Sequence, residues 1–242
     1  MAGLFSISGA PLSSRTSAGV ADIIRREILV GTLKPEQPLL EREIASELGV
    51  SRTPVREALF ALQGEGLVEL VPRRNARVRK ITDVEISQIY ALRHVLEVHA
   101  ASSAAEYATP QDFLAIETAL MRQKNLPRTC SALEQAEADL AFHAAVAAAS
   151  HSQIVLTVVT QVLALTATLR GRIKYDASQM RRVLAQHGAV LTAIKNHDPD
   201  RARAEMSDHI DASTCYAKTR LPSLNDENSS ENRNILPQSV PG

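Results

Sequence analysis

Two short amphipathic patterns meet at a tight turn between residues 41 and 68, and this stretch constrains the fold more than any other part of the chain. Gly49 supplies the turn, and Ser51 is the predicted cap of the second helix. Apolar residues recur every three or four positions on both sides of the turn: Ile44, Ala45, Leu48, Val55, Ala58, Leu59 and Leu62. This spacing predicts two helices that share one core, which is a helix-turn-helix.

The start of the second helix carries basic and polar residues on its open face. Arg52 and Arg56 lie four residues apart, so they project from the same side of the helix, with Thr53 beside them. The N-terminal residues of a recognition helix are the ones that enter the major groove of DNA. Because arginine there can donate hydrogen bonds to guanine edges or to phosphates, we expect this helix to bind DNA.

A basic hairpin follows the helix pair. Residues 68–72 and 76–80 have the composition of two strands, and Arg73, Arg74 and Asn75 lie between them. Such a run of basic side chains, taken alone, indicates an ordinary solvated hairpin. Attached directly to a helix-turn-helix, it predicts a wing that contacts DNA.

The residues of this region resemble a known family. Residues 51–59 read Ser-Arg-Thr-Pro-Val-Arg-Glu-Ala-Leu and residues 65–68 read Glu-Gly-Leu-Val, as in the winged helix of the GntR family of bacterial transcription regulators. The resemblance implies DNA contacts at Arg42, Ser51, Arg52, Thr53 and Arg56, and a wing tip at Arg73, Arg74 and Asn75 that reaches the minor groove. We expect a homodimer on a short palindromic operator, because two recognition helices reach an affinity that one small module does not.

Composition and charge predict a mainly α protein of two domains. A chain of 242 residues can form two modest cores, and 45% hydrophobic with only 3% aromatic residues indicates closely packed helices. The net charge is zero, but residues 1–80 hold 12 Lys+Arg and 9 Asp+Glu, whereas the rest holds 15 and 18. The basic part is therefore the part that has the helix-turn-helix.

The lack of targeting signals and the cysteine spacing predict a cytoplasmic protein with no membrane partner. No apolar run approaches the roughly 20 residues that span a bilayer, and the N-terminus lacks the order of a secretion signal. Cys130 and Cys215 form no spaced set, so we interpret both as reduced thiols without an assigned role.

Helix-start signals recur after the wing. Thr82 to Glu85 and Ser131 to Glu134 have the pattern of capping boxes. The predicted helices lie near residues 83–107, 110–124, 132–149, 153–172, 178–196 and 199–219. Short connections favour an antiparallel all-α six-helix bundle. We divide the chain into a flexible N-terminal tail (1–14), a winged helix-turn-helix domain (15–80), a helical effector-binding and dimerisation domain (81–220) and a flexible C-terminal tail (221–242).

Four residues of the predicted bundle have the chemistry of metal ligands. Asp139 and His143 lie four residues apart and so share a helix face, and His187 and His209 lie on the last two helices. Three imidazoles and a carboxylate suit a divalent ion such as zinc or nickel. Each histidine alone is more often a surface or hydrogen-bonded core residue, and spacing by itself does not bring His187 to His143.

A second resemblance covers the bundle. Residues 139–143, 186–194 and 206–209 resemble the FCD effector domain, which is the C-terminal half of the FadR subfamily of GntR regulators, and six helices resemble its VanR-type branch. The resemblance implies one divalent ion per chain at Asp139, His143, His187 and His209. We expect zinc, with nickel and manganese as the other choices.

The resemblance also implies a small carboxylate metabolite as the effector. Its carboxylate would take the open positions of the ion, and Arg93 would bind its other end. Arg170 and Arg172 are weaker candidates. For Arg93, an ion pair with Glu97, four residues on, is the alternative.

Two other classes of function fit a histidine-rich site. A dedicated metal sensor would respond to the ion itself, without an organic effector. A metal-dependent hydrolase would use the open positions for water, but the sequence has no HExxH motif, nucleophile elbow or glycine-rich phosphate loop. We therefore expect no enzyme, but a ligand-responsive, metal-containing transcription regulator that acts as a repressor.

Overall fold

A computed structural model describes residues 16–71, 75–171 and 173–231 of the chain, with the backbone alone for residues 168 and 221–231. Its N-terminal part is a winged helix-turn-helix with a small sheet, in which β3 lies between β1 and β2 and pairs antiparallel with both. The elements are α1 (Ser17–Val30), β1 (Pro38–Leu39), α2 (Glu41–Leu48), α3 (Arg52–Gly64), β2 (Val68–Glu69) and β3 (Ala76–Val78). The helix pair predicted from the sequence is confirmed as α2 and α3.

Helix α1 and strand β1 were absent from the sequence-based prediction. The Thr16 side chain accepts a hydrogen bond from the Gly19 N–H at the start of α1, and Gly31 ends the helix in the left-handed conformation, at φ 81°. The buried face of α1, with Val20 and Ile24, completes the core beneath α2 and α3.

The turn of the helix pair has the predicted geometry, but the predicted cap does not form. Gly49 adopts φ 65°, the left-handed backbone that glycine accepts without strain. Ser51 stands at the N-cap of α3, yet its side chain makes no capping hydrogen bond. The donors for such a cap are the N–H groups two and three residues on, and Pro54, at the third position, has no N–H.

Among the residues that the structure describes, six helices form the C-terminal bundle, as predicted. They are α4 (Asp83–Tyr107), α5 (Pro110–Lys124), α6 (Ala132–Ala149), α7 (Gln153–Arg170), α8 (Ala177–Lys195) and α9 (Pro199–Glu231). Capping boxes at Thr82, Thr109 and Ser131 fix the starts of α4, α5 and α6. Helix α9 continues past its predicted end near residue 219, since no glycine in 199–231 supplies a left-handed cap. The expected tail at 1–14 lies outside the described residues.

Packing of the bundle brings α4, α6, α8 and α9 around one centre. Helix α4 packs along α9 and also contacts α6 and α8, while α8 packs against α9. Phe142, Val146, Ile194 and Met206 form the apolar core at one end of this centre. None of the described helices has the length and apolarity that crossing a membrane requires.

Two glycines mark close contacts between the DNA-binding domain and the bundle. A Cβ atom at Gly171, after α7, would lie 2.7 Å from the backbone carbonyl oxygen of Leu29 in α1. A Cβ atom at Gly66, after α3, would lie 2.7 Å from Cδ2 of Leu165 in α7. Helix α7 therefore contacts the DNA-binding domain at two points where no larger residue fits without a shift.

Candidate metal centre and DNA-binding face

Three histidine side chains converge at the centre of the bundle. His143 of α6, His187 of α8 and His209 of α9 are at most 1% exposed. The Nε2 atom of His209 lies 3.2 Å from Nε2 of His143 and 3.3 Å from Nε2 of His187. These residues form a group whose ligand atoms could hold one metal ion, so the predicted meeting of the three histidines is confirmed.

The outer nitrogen of each imidazole faces a hydrogen-bond acceptor. Nδ1 of His187 lies 2.8 Å from Oε1 of Gln123, and Nδ1 of His209 lies 3.2 Å from Oε1 of Gln186. A carboxylate oxygen of Glu97 faces Nδ1 of the third imidazole. An acceptor at Nδ1 places the proton there, so each inward Nε2 carries a lone pair.

This arrangement fits a cation. The lone pair on Nε2 of His209 faces those of the other two histidines at 3.2 and 3.3 Å, and these lone pairs repel unless a positive charge lies between them. Burial lowers the pKa of His187 well below its ordinary value, and that of His209 to about 3, with neighbouring imidazoles adding to the effect. Both imidazoles are therefore neutral at neutral pH, which is the form that binds metals.

Asp139 lies at the edge of the histidine triad. Its Oδ1 atom is 3.8 Å from Nε2 of His187, and the residue is not one of the three whose ligand atoms lie together. Four ligand atoms were predicted to meet, and three of them do. The Asp139 carboxylate lies outside the group because Gln123 donates a 3.0 Å hydrogen bond to its Oδ1 and Arg170 approaches its Oδ2 at 3.7 Å. These contacts hold the carboxylate to one side.

The side chain of Gln123 links His187 and Asp139, and the charge on Asp139 fixes the orientation of the Gln123 amide. Burial favours the neutral acid, but the Arg170 guanidinium and the imidazoles hold the pKa of Asp139 well below its ordinary value. An ionised carboxylate only accepts, so the amide nitrogen of Gln123 faces Asp139 and its oxygen faces His187. Sequence analysis missed Gln123, since a glutamine on a helix carries no signal that it is buried.

Arg93 of α4 lies beside the triad and is buried. Its Nε atom donates a 2.6 Å hydrogen bond to Oε1 of Glu97, which is the ion pair weighed as the alternative role for this arginine. Its Nη2 atom also lies 3.4 Å from Nε2 of His143. Burial opposes ionisation of Glu97, but Arg93 and His143 lower its pKa to about 2. Arg93 thus forms the ion pair with Glu97, and its guanidinium also reaches Nε2 of His143.

Arg170, at the end of α7, completes the polar surroundings. Its guanidinium carbon lies 3.7 Å from the centre of the Tyr175 ring, within range of a cation–π contact. The backbone of Tyr175 is held by Gln135, which accepts from its N–H at 2.7 Å and donates to its carbonyl at 3.2 Å. Arg172, the third arginine predicted for the effector, lies outside the described residues.

The predicted DNA contacts lie on one exposed face. Arg42, Ser51, Arg52, Thr53, Arg56 and Asn75 are all exposed. Arg42, Arg52, Arg56 and Asn75 line a shared depression of about 540 Å³. Arg73 and Arg74 at the wing tip lie outside the described residues. The structure thus brings the helix arginines to the side of the domain from which the wing rises.

Comparisons with known proteins agree with both halves of the chain. Residues 16–78 match the model of the bacterial regulatory proteins of the gntR family, and residues 88–212 match the FCD domain. The Glc operon transcriptional activator of Escherichia coli (strain K12) is 29% identical over 215 residues, covering 79% of this chain and 84% of the relative. The HTH-type transcriptional repressor RspR of the same strain is 27% identical over 188 residues, covering 78% and 82%.

A solved structure shows the same fold. E. coli McbR/YncC superimposes with a TM-score of 0.71 at 22% identity, covering 85% of this chain and 98% of that one. A winged helix of this kind implies operator DNA as a partner, and the family is one of regulators rather than enzymes. The chain belongs to the GntR family of bacterial transcription regulators, in the FadR subfamily, whose C-terminal half is an FCD domain.

Proposed function

We propose that this protein is a cytoplasmic, metal-containing repressor that binds a short palindromic operator as a homodimer and responds to a small organic acid. The observation that carries the proposal is the buried triad, in which every Nδ1 faces an acceptor and every Nε2 points inward. This site lies in a bundle whose α7 contacts the DNA-binding domain directly. One similar protein is named an activator and another a repressor, so repression rests on our interpretation of the family.

Zinc is the ion that this donor set favours, with nickel and manganese as the other choices. Nε2 of His143, His187 and His209 would hold it, with the Asp139 carboxylate as the fourth ligand. When bound, the ion supplies open coordination positions for a carboxylate. Gln123 and Glu97 keep two of the imidazoles in the tautomer that binds metal. Because the triad is buried, we propose a resident ion rather than a sensed one.

The effector in this proposal is an anion, because two buried arginines border the triad. Arg93 lies against His143, and Arg170 lies against Asp139. A guanidinium binds a carboxylate through two parallel hydrogen bonds, which gives both charge and orientation. Arg172 remains a further candidate from the sequence.

Operator binding is assigned to α3, the start of α2 and the wing. Arg52 and Arg56 would contact bases or phosphates, with Arg42 and Thr53 beside them and Arg73, Arg74 and Asn75 at the wing tip. The side chain of Ser51 also supports the assignment. Its hydroxyl makes no capping hydrogen bond, so it can donate to a phosphate.

The homodimer is supported by an apolar face on α4 and α7, which pack side by side. Val95 on α4 is 67% exposed and Ile154 on α7 is 78% exposed, with Leu92 and Val158 as exposed neighbours. Helix α7 carries no charged residue between Gln153 and Leu169. An uncharged face of this kind favours a contact with a second copy of the chain.

Four measurements test the proposal. Elemental analysis of protein purified without chelator should find about one divalent ion per chain, and sedimentation should find a dimer. Selection from random DNA should then return a sequence with two-fold symmetry. A thermal-shift screen of organic acids should raise the melting temperature of the loaded protein, because a ligand of the folded state alone stabilises that state. Metal that exchanges freely and signals without any acid would favour the metal-sensor alternative.

A further inference from the structure

An exposed aromatic side chain lies on the recognition helix. Phe60 of α3 is 57% exposed, whereas Phe113 and Phe142, the other phenylalanines that the structure describes, pack in or against the apolar core of the bundle. Phe60 follows Arg52 and Arg56 at intervals of eight and four residues, so the three side chains lie along one side of α3. The face assigned to operator binding therefore carries an aromatic ring beside its basic groups.

The ring lies in the shared depression that extends from α3 to the wing. A single exposed apolar side chain is ordinary on a protein surface, so the surroundings of Phe60 decide its role. The depression measures about 540 Å³, and its apolar lining residues besides Phe60 are Leu39, Leu40, Leu59, Leu70 and Ala76. Phe60 thus continues an apolar surface that reaches the residues flanking the wing tip.

The charged lining of the depression favours an anionic strand. Three arginines, Arg42, Arg52 and Arg56, stand against two glutamates, Glu41 and Glu43, so the balance is positive. A DNA strand alternates charged phosphates with sugars whose carbon atoms are apolar. Guanidinium groups beside an apolar surface match this alternation, since the arginines suit the phosphates and the ring suits the sugar carbons.

The dimensions of DNA place a strand over this depression. An α-helix with its side chains is about 10–12 Å across and the major groove is about 12 Å wide, so α3 would fill the groove. The wing rises beside α3, and the sugar–phosphate strand that borders the groove must then pass between them. Phe60 lies about 12 Å along α3 from Arg52, at 1.5 Å per residue, which puts it at the rim of the groove rather than at the base edges.

We propose that Phe60 packs against deoxyribose carbons of the DNA strand that crosses the shared depression between α3 and the wing. This inference rests on the proposed operator binding and adds an apolar positioning contact to the basic ones. Because the ring carries no charge, it displaces no counterions from DNA. Its contribution to affinity therefore depends neither on the base sequence at that point nor on the salt concentration.

The test measures how salt affects the loss of affinity. Wild type, Phe60→Ala and Arg56→Ala are titrated as full-length proteins, by fluorescence anisotropy, onto the duplex that selection from random DNA returns. Salt is varied from about 50 to 200 mM. Phe60→Ala should weaken binding about 3- to 10-fold at every salt concentration, because part of the burial of one ring is lost. Arg56→Ala is the reference that reports whether α3 contacts the duplex.

Two results would overturn the contact of Phe60 without removing the proposed operator binding. They are wild-type affinity in Phe60→Ala, or a slope of log affinity against log salt that differs from wild type in this variant, while Arg56→Ala still loses affinity. Full affinity in both variants, or selection that returns no duplex, would instead count against operator binding by α3.

Replacing every thymine of the duplex by uracil separates a sugar contact from a base contact. Uracil lacks the methyl group, which is the apolar part of thymine in the major groove, and leaves the deoxyribose unchanged. Phe60→Ala should lose the same factor on both duplexes, whereas a loss confined to the thymine duplex would assign the ring to a base and overturn the proposal. Gln63→Ala changes an exposed residue of α3 outside the depression and should bind as wild type does.

Discussion

The guanidinium of Arg56 on α3 is bound by the carboxylate of Glu41, the first residue of α2, through two hydrogen bonds. Nε lies 2.9 Å from Oε1 and Nη2 lies 2.8 Å from Oε2. This pair is exposed, so it adds little to stability, but its two-point geometry restricts the rotamers of Arg56. Glu41 and Arg56 both line the shared depression, so the pair lies on the surface assigned to DNA.

The DNA-binding residues give the first prediction. Arg52→Ala and Arg56→Ala should each weaken operator binding by about 1–3 kcal/mol, since each removes a charged donor from the recognition helix. Glu41→Gln should weaken it less, by loosening Arg56. Gel-shift titration measures all three, and Glu106→Gln, an exposed change on α4, is the control. Unchanged affinity in both arginine variants would remove α3 from its proposed role.

Metal content gives the second prediction. His187→Ala or His209→Ala should lower the bound ion well below one per chain and reduce the melting temperature, because the ion ties α6, α8 and α9 together. His99→Ala changes an exposed histidine of the same bundle and should do neither. Elemental analysis and differential scanning calorimetry give the two values. A full complement of metal in both site variants would contradict the assignment of the triad.

Gln123 gives the third prediction. Gln123→Leu keeps the side-chain volume but removes the contacts to His187 and Asp139, so metal affinity should fall about 10- to 100-fold. Gln111→Leu, an exposed glutamine on the same helix, should leave affinity unchanged. Competition with a chelator of known affinity measures both. If the two variants bind the ion equally well, Gln123 fills space and does not orient the ligands.

The junction between the domains gives the fourth prediction. Gly171 has an ordinary helical backbone, so Gly171→Ala is limited by close contacts of the added Cβ atom, at 2.7 Å from the Leu29 carbonyl oxygen and 3.1 Å from that of Ala167. We expect a loss of stability of about 1–3 kcal/mol and a changed operator affinity, with the metal retained. Gly188→Ala is the matched control, since nothing lies within 4 Å of its added Cβ, and it should stabilise α8 by up to about 1 kcal/mol. Operator affinity equal to wild type in Gly171→Ala would mean that this contact does not position the DNA-binding domain.

The capping box after the wing gives a prediction about pH. Hydrogen bonds from the Thr82 backbone and hydroxyl lower the pKa of Glu85, so its contribution to stability is present above the pKa of the unfolded chain and is lost as pH falls. The stability difference between wild type and Glu85→Gln should therefore shrink below about pH 4. Urea unfolding at several pH values measures this difference. A constant difference down to pH 3 would contradict it.

Local signals in the sequence predicted much of this fold. Gly49 and the apolar spacing gave the helix pair, and capping boxes at Thr82 and Ser131 gave two helix starts, because these features depend only on neighbouring residues. The missing cap at Ser51 has a local contribution as well, since Pro54 removes one of the two possible donors. Helix α1 was missed because we identified no start signal at Thr16.

The candidate site depended more on tertiary packing. Resemblance to a family placed the three histidines together, but nothing local showed that Asp139 would be held aside by Gln123 and Arg170. Tyr175 was missed for the same reason. Its ring contacts Arg170 from the connection between α7 and α8, and helical spacing does not describe such a contact.

Burial of the three histidines also separates the timescale of metal exchange from that of acid binding. An ion enclosed by groups that are at most 1% exposed can leave only when the helices part, so its exchange is limited by how often the bundle opens. Under our proposal, one chain would keep the ion acquired during folding through many cycles of acid binding and release. The metal supply at the time of synthesis would then decide which molecules can respond, and later changes in that supply would act only on newly made protein.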